Sequence, residues 1–103
     1  MKIEFSKLSA YKLEKLTIYL REGWGEKSVN SFFSKFDSSL DAIKSNPEIF
    51  AYSQFDKKLR KAVITKQTSI LYEIQEETIF ILNLIDNRQD PEKIFQEIKN
   101  NFG

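Results

Sequence analysis

The segment from Leu59 to Pro91 constrains the fold more than any other part of this 103-residue chain. It reads as three consecutive β-strands, expected at residues 58–66, 69–75 and 78–85, ending in the polar turn Asp86-Asn87-Arg88-Gln89-Asp90-Pro91. Ile70, Tyr72 and Ile74 alternate with Leu71 and Glu73, the period-two pattern of a half-buried strand. Thr78 to Ile85 is almost continuously apolar, as suits a central strand covered on both faces. Gln75-Glu76-Glu77 supplies the tight turn between these two, without the Asn-Gly pair that usually marks one. The result is an antiparallel meander. Its first strand opens in a basic cluster and its last stops at an arginine, so Arg60 and Arg88 are expected near each other on one sheet.

The flanking segments read as helices around one further strand. Ile3 and Phe5 alternate with polar residues over 2–5, a short strand, and Ser6 stands where a helix N-cap belongs. Leu13, Leu16 and Leu20 then follow at helical spacing with Tyr19 beside them, so residues 7–22 are expected as one amphipathic helix, broken by Gly23-Trp24-Gly25. Val29, Phe32, Phe33, Phe36, Leu40 and Ile43 form the apolar stripe of a second helix, which Asn46-Pro47 stops because the residue before proline disfavours α geometry. Residues 48–57 are irregular, with a short edge strand near Tyr52. After Pro91, the apolar Ile94, Phe95 and Ile98 mark a short terminal helix. The expected class is α+β: an N-terminal strand and an antiparallel helical hairpin packed on an antiparallel β-sheet, with a short C-terminal helix, in one domain over 1–103. So short a chain is expected to leave the opposite sheet face open, except where the terminal helix reaches it. That face, flanked by basic residues, is the expected binding surface.

Composition narrows the chemistry. The chain has no cysteine and no histidine, so thiol chemistry is excluded, a transition-metal centre would need carboxylates alone, and no metal or cofactor is expected. General acid–base work would fall to Asp, Glu, Lys or Tyr. A net charge of +1 gives no strong global field toward nucleic acid, so only local clusters matter. The first residues, MKIEFSKLSAY, lack a signal-peptide stretch and no run reaches transmembrane length, so the expected location is the cytoplasm.

The strongest local signal is Lys57, Lys58, Arg60, Lys61 and Lys66. Alternation puts Lys58 and Arg60 on one sheet face, with Lys66 as a further candidate, and Leu59, Lys61 and Val63 on the other. Such cations could contact phosphate or stabilise charge developing on it; a solvated edge that repels other strands accounts for them equally well. Arg88 is read either as a contact aimed into the concave face or as a turn residue paired with Asp86 or Asp90. Tyr72 is a candidate acid or base if nearby cations lower its pKa, though a mid-strand ring is more often core. Trp24 either staples the hairpin turn or is exposed to a partner. The stripe on the second helix is core.

In order and spacing, these pieces resemble the RelE/ParE toxins over about 90 residues. The resemblance rests on Ser6 leading into a helix that ends near Tyr19-Leu20, Trp24 at the helix break, Asn46-Pro47-Glu48, Leu59-Arg60, Ser69 to Ile74 with Tyr72 in the middle, and Asp86 to Glu92. It implies a bacterial type II toxin neutralised by a small cognate antitoxin. Members divide by target: RelE-like toxins cut messenger RNA in the ribosomal A site, and ParE-like toxins inhibit DNA gyrase by binding. RelE-like enzymes are similar in carrying an arginine near the end of the equivalent strand. However, the tail Asn100-Asn101-Phe102-Gly103 departs from the terminal Tyr or His common in the nucleases. The expectation is therefore ParE-like growth inhibition, with Lys58, Arg60, Lys61, Lys66 and Arg88 as target contacts. The alternative is a RelE-like endoribonuclease using Arg60, Arg88, Lys58 and Tyr72; a decayed toxin that only binds antitoxin is a third reading. Apolar surface between the helical hairpin and the sheet edge is expected to take the antitoxin, bordered by Tyr11, Tyr19 and Trp24.

Overall fold

In the computed structural model, which describes residues 1–102, the elements run β1 (Lys2–Phe5), α1 (Lys7–Trp24), α2 (Glu26–Ser45), β2 (Arg60–Val63), β3 (Thr68–Gln75), β4 (Thr78–Asp86) and α3 (Pro91–Phe102). Ser6 caps α1 as its side-chain chemistry demands: the hydroxyl accepts the Ser9 N–H at 3.0 Å. The break between the helices is narrower than Gly23-Trp24-Gly25. Helix α1 continues through Trp24, and Gly25 alone turns the chain, at φ 88°, its N–H closing the helix on the carbonyls of Leu20 and Arg21. A left-handed φ explains why glycine stands there. Helix α2 ends at Ser45, before Pro47.

The sheet order is β1-β4-β3-β2. The meander β2-β3-β4 is antiparallel, as expected, and β1 joins it parallel to β4, pairing Ile3 with Ile79 and Phe5 with Ile81, so the whole sheet is mixed. A parallel neighbour requires a crossover, and the helical hairpin is part of the long one between β1 and β4. Glu76, at φ 55°, makes the β3–β4 turn without glycine or asparagine.

One bulge organises the centre. Leu71 faces Asn83 while Tyr72 faces Ile81, so Leu82 is the extra residue on β4. The N-terminus of α1 meets the carbonyls there: Ser6 N–H and Ser9 Oγ donate to Ile81 O at 3.0 and 2.8 Å, and Ser6 Oγ donates to Leu82 O. One turn further on, Lys12 Nζ donates to Leu84 O at 3.1 Å and pairs with Glu97 of α3, which also accepts from Asn83 Nδ2. Beyond Phe5, polar side chains of α1 thus serve the edge of β4 in place of a strand.

Apolar side chains divide between the two sheet faces. On one, Phe32, Phe36, Leu40 and Ile43 of α2 pack against Ile70, Tyr72, Ile79, Ile81 and Leu84. On the other, Phe55 and Leu59 of the long loop and Ile94 of α3 bury Leu71, Leu82 and Ile85, with the Phe55 and Phe95 rings 5.0 Å apart. The face expected to stand open is therefore largely covered, because the loop before β2 and the terminal helix meet over it. Among the described residues no helix is long and apolar enough to cross a membrane.

Candidate functional site

Arg60 opens β2, and its position is set by its neighbours. Leu59 and Leu71 are buried under α3, so alternation turns Arg60 and Tyr72 toward the helical hairpin. The loop after Pro47 runs back along the β2 edge, bridging Tyr52 to Arg60. Arg60 Nη1 donates to Phe50 O at 2.7 Å and, at the long limit of 3.5 Å, to Glu48 O, and the guanidinium lies 4.0 Å over the Tyr52 ring. Arg60, expected as a target contact, is half-buried and fastens the loop to the sheet. Arg60→Ala is expected to cost about 1–3 kcal/mol, from one charge-assisted hydrogen bond and one cation–π contact. Urea denaturation checks this; an unchanged midpoint would show that the fastening is idle.

The other predicted cations do not line up with it. Lys58 lies in the turn before β2, where its N–H is held by Asp56 Oδ1 at 2.7 Å, and Lys66 lies in the Thr65–Gln67 turn after β2. β2 holds only four residues, too few for the expected alternating row of Lys58, Arg60 and Lys66. Lys61 stays in the strand, opposite Leu71 and half-buried. Tyr72 is fully buried, its hydroxyl 3.3 Å from Pro47 O. Burial pushes its phenol pKa up, only partly offset by Arg60 and the Phe50 backbone. The ring belongs to the core.

Arg60 and Arg88 are not brought together. Arg60 is level with Tyr72, whereas β4 ends at Asp86, level with Thr68. That is four positions along the sheet, about 13 Å, and two strands across. At the Arg88 end the organiser is Asn87, which sequence reasoning passed over. Its N–H donates to Gln67 O at 2.6 Å, its Oδ1 accepts from Ser69 Oγ at 2.7 Å, and its Nδ2 donates to Lys66 O at 3.2 Å. This fixes the β2–β3 turn to the end of β4, with the Lys66 carbonyl held by the Asn87 amide. The available signal was an asparagine placed directly after the apolar strand, where its amide can satisfy loop backbone. Tyr52 was noted only as an edge strand; its role under Arg60 depends on how the loop returns, which spacing does not reveal.

Arg88 is exposed and paired with Asp86, as the turn reading had it: Nε to Oδ1 at 3.0 Å and Nη2 to Oδ2 at 2.8 Å. Hydrogen bonds from Arg88 hold the Asp86 carboxyl below its ordinary value, and Asp86 raises the guanidinium in return, with a smaller contribution from Tyr19.

Tyr19 and Trp24 are exposed, their rings 5.5 Å apart, and Tyr11 is exposed with Lys15 Nζ 5.4 Å from its centroid. None of the three lines the groove along α1. That groove, about 560 Å³, is lined by Phe5, Ala10, Leu13, Thr17, Ile18 and Phe33 with Glu14 and Arg21. It adjoins β1, whose outer edge has no strand neighbour. Among the described residues no cluster of three or more carboxylates could hold a metal ion.

A scan of protein-family models finds no match to the chain, and a search of curated proteins finds none either. Solved structures do match. A chain from the chromosomal ParDE toxin–antitoxin system of P. aeruginosa superposes with a TM-score of 0.66 at 12% identity, covering 84% of this chain and 95% of that one. The YoeB/ParE toxin from Agrobacterium tumefaciens gives 0.63 at 11% identity, covering 84% and 99%. The YoeB dimer from Staphylococcus aureus gives 0.60 at 14% identity, covering 82% and 94%. The chain has the RelE/ParE-type toxin fold.

Proposed function

We propose that this chain is the toxin of a type II toxin–antitoxin pair, neutralised by a cognate antitoxin and acting in the ParE-like manner, by binding DNA gyrase. The carrying observation is the condition of the expected catalytic groups. Tyr72 is buried with a raised pKa, and Arg60 is spent on loop carbonyls and Tyr52. An acid–base pair around a scissile phosphate would need those groups in reach of substrate. Exposed Arg88 and Lys66 remain as target contacts, with Lys58 on its separate turn. The likeness to a ParDE chain supports this reading. Solvent-facing Arg88 and the likeness to YoeB structures favour the alternative, a RelE-like endoribonuclease. Both targets place the protein in the bacterial cytoplasm.

The antitoxin reading rests on β1 and the groove. Lys2 and Ser6 direct their N–H groups to β4, so the alternate backbone groups of Ile3 and Phe5 face outward. A partner strand can pair there while apolar side chains of the same partner fill the groove. This centres the antitoxin contact on β1 and the groove rather than on Tyr11, Tyr19 and Trp24. The test of target is direct. Purified toxin should inhibit gyrase supercoiling at stoichiometric amounts and leave messenger RNA on programmed ribosomes intact. Codon-specific cleavage at catalytic amounts would overturn the binding mechanism.

A further inference from the structure

Strand β1 lies at a sheet edge, and its charges are arranged unlike those of a protected edge. Exposed edges are commonly blunted by lysines, which repel a copy of themselves. Here Lys2 and Glu4 stand two residues apart, both exposed and on one face of β1, and neither joins an ion pair among the described residues. The outward backbone groups are those of Ile3 and Phe5, because Lys2 and Ser6 donate inward to Glu77 O and Ile81 O. An antiparallel neighbour bonds only in registers that set such outward residues opposite one another. A second copy of this chain has three of them. Phe5 against Phe5 drives each strand into Lys7, the start of the other copy's α1. Ile3 against Phe5 sets Glu4 directly against Glu4, like charge on like. Ile3 against Ile3 sets Lys2 against Glu4 twice over, at the non-hydrogen-bonded positions where side chains come closest.

We propose that two copies pair through β1 in this last register, as a twofold dimer in which the two four-stranded sheets become one. The fold permits it. β1 runs parallel to β4, and α1 carries on in the same direction, meeting β4 at Ile81 and then at Leu84. Antiparallel pairing therefore sends the two α1 helices away from each other along the edge. The register also sets Met1 of each copy opposite Phe5 of the other, beside the groove; at 47% and 36% exposed, both have apolar surface left to bury. Assembly stops at two because the opposite edge is occupied: along β2, Lys61 N–H donates to Ala51 O and Ser53 N–H to Leu59 O. So short a strand makes a small interface, and the dimer is a transient one with a dissociation constant of about 0.1 mM. On the proposed function the antitoxin strand takes this same edge, so dimer and complex exclude each other; the self-pairing itself needs no such partner.

Sedimentation equilibrium of the full chain, without an N-terminal tag, reads the association between about 1 µM and about 1 mM. Expected is monomer at the low end and mostly dimer at the high end. Lys2→Glu and Glu4→Lys each make both cross-strand pairs repulsive and should weaken association at least about tenfold, less so at about 1 M salt. Both sites are exposed, so the circular dichroism of each variant should match the parent's. Mixed one to one, the two variants face each other Glu to Lys at every pair. The mixture should recover the parent's affinity to within about threefold, and so should one chain carrying both substitutions. The proposal is overturned if the parent stays monomeric at about 1 mM, which would leave the edge to the antitoxin alone. It is equally overturned if Lys2→Glu associates like the parent, since only the Ile3 register sets Lys2 against a charge, or if the mixture stays as weak as its parts. A chain that dimerises with this charge pattern and binds no antitoxin would overturn the functional reading and leave the dimer standing.

Discussion

Tyr72→Ala is expected to unfold much of the protein, at a cost of about 3–5 kcal/mol for a large ring removed from a closed core. The side chain is fully buried between α2 and the sheet, with the Phe50 ring 6.4 Å away, and total stabilities of such domains are only about 5–15 kcal/mol. Tyr72→Phe isolates the hydroxyl. Its bond to Pro47 O is long at 3.3 Å, so the loss should be at most about 1 kcal/mol. On the proposed function that variant should arrest growth as the parent does, since a phenol with a raised pKa supplies no base near neutral pH. The pH dependence has a definite sign. A pKa raised on folding gives stability that is complete below the ordinary tyrosine value, near 10.0, and is lost as the pH rises through the folded value. Alkaline unfolding should therefore be shallower in Tyr72→Phe. Wild-type folding with abolished toxicity in Tyr72→Phe would return the ring to the catalytic candidates.

On the proposed function, Ile18→Glu should release the chain from its antitoxin. Ile18 lines the groove and is 40% exposed, so a carboxylate there should cost little in folding and much in a desolvated interface. A central contact of this kind carries about 2 kcal/mol or more, roughly thirtyfold in affinity. Cells making both proteins should then stop growing when they carry the variant and grow with the parent. Calorimetry with purified antitoxin and circular dichroism of the toxin separate lost binding from lost structure. Unchanged affinity in a folded variant would move the antitoxin away from this groove.

Periodicity located the elements because each is governed by its own residues. The six apolar positions of α2 specified that helix, its buried face and, with Pro47, its end. The alternation of Ile70, Tyr72 and Ile74 specified which way β3 faces. What escaped was set by distant partners. Whether Arg60 is exposed depends on a loop that folds back beside β2, and nothing between residues 48 and 57 encodes that return in a regular pattern. The bulge at Leu82 shifts the β3–β4 register, so counting along β4 from its turn misplaces everything after it. Arg60 and Arg88 both flank the meander, which made them look adjacent; the short β2 and the long β4 put them at different heights. Coverage of the second sheet face by Phe55, Ile94 and Phe95 likewise needed two segments some forty residues apart to meet.

The pairing of β1 with β4 has a consequence for synthesis. Ser6 and its partner carbonyl on Leu82 are 76 residues apart, so the first strand and the polar contacts of α1 have no sheet to join until β4 has been made. At cellular elongation rates the wait is roughly 4–15 s. During that interval α1 and α2 can pair only with each other. Docking of β1 is also among the most non-local steps in the molecule, and such steps come late and slowly. The edge that we assign to the proposed antitoxin therefore forms only once β4 has been made, so a nascent chain offers that partner little before its sheet is complete.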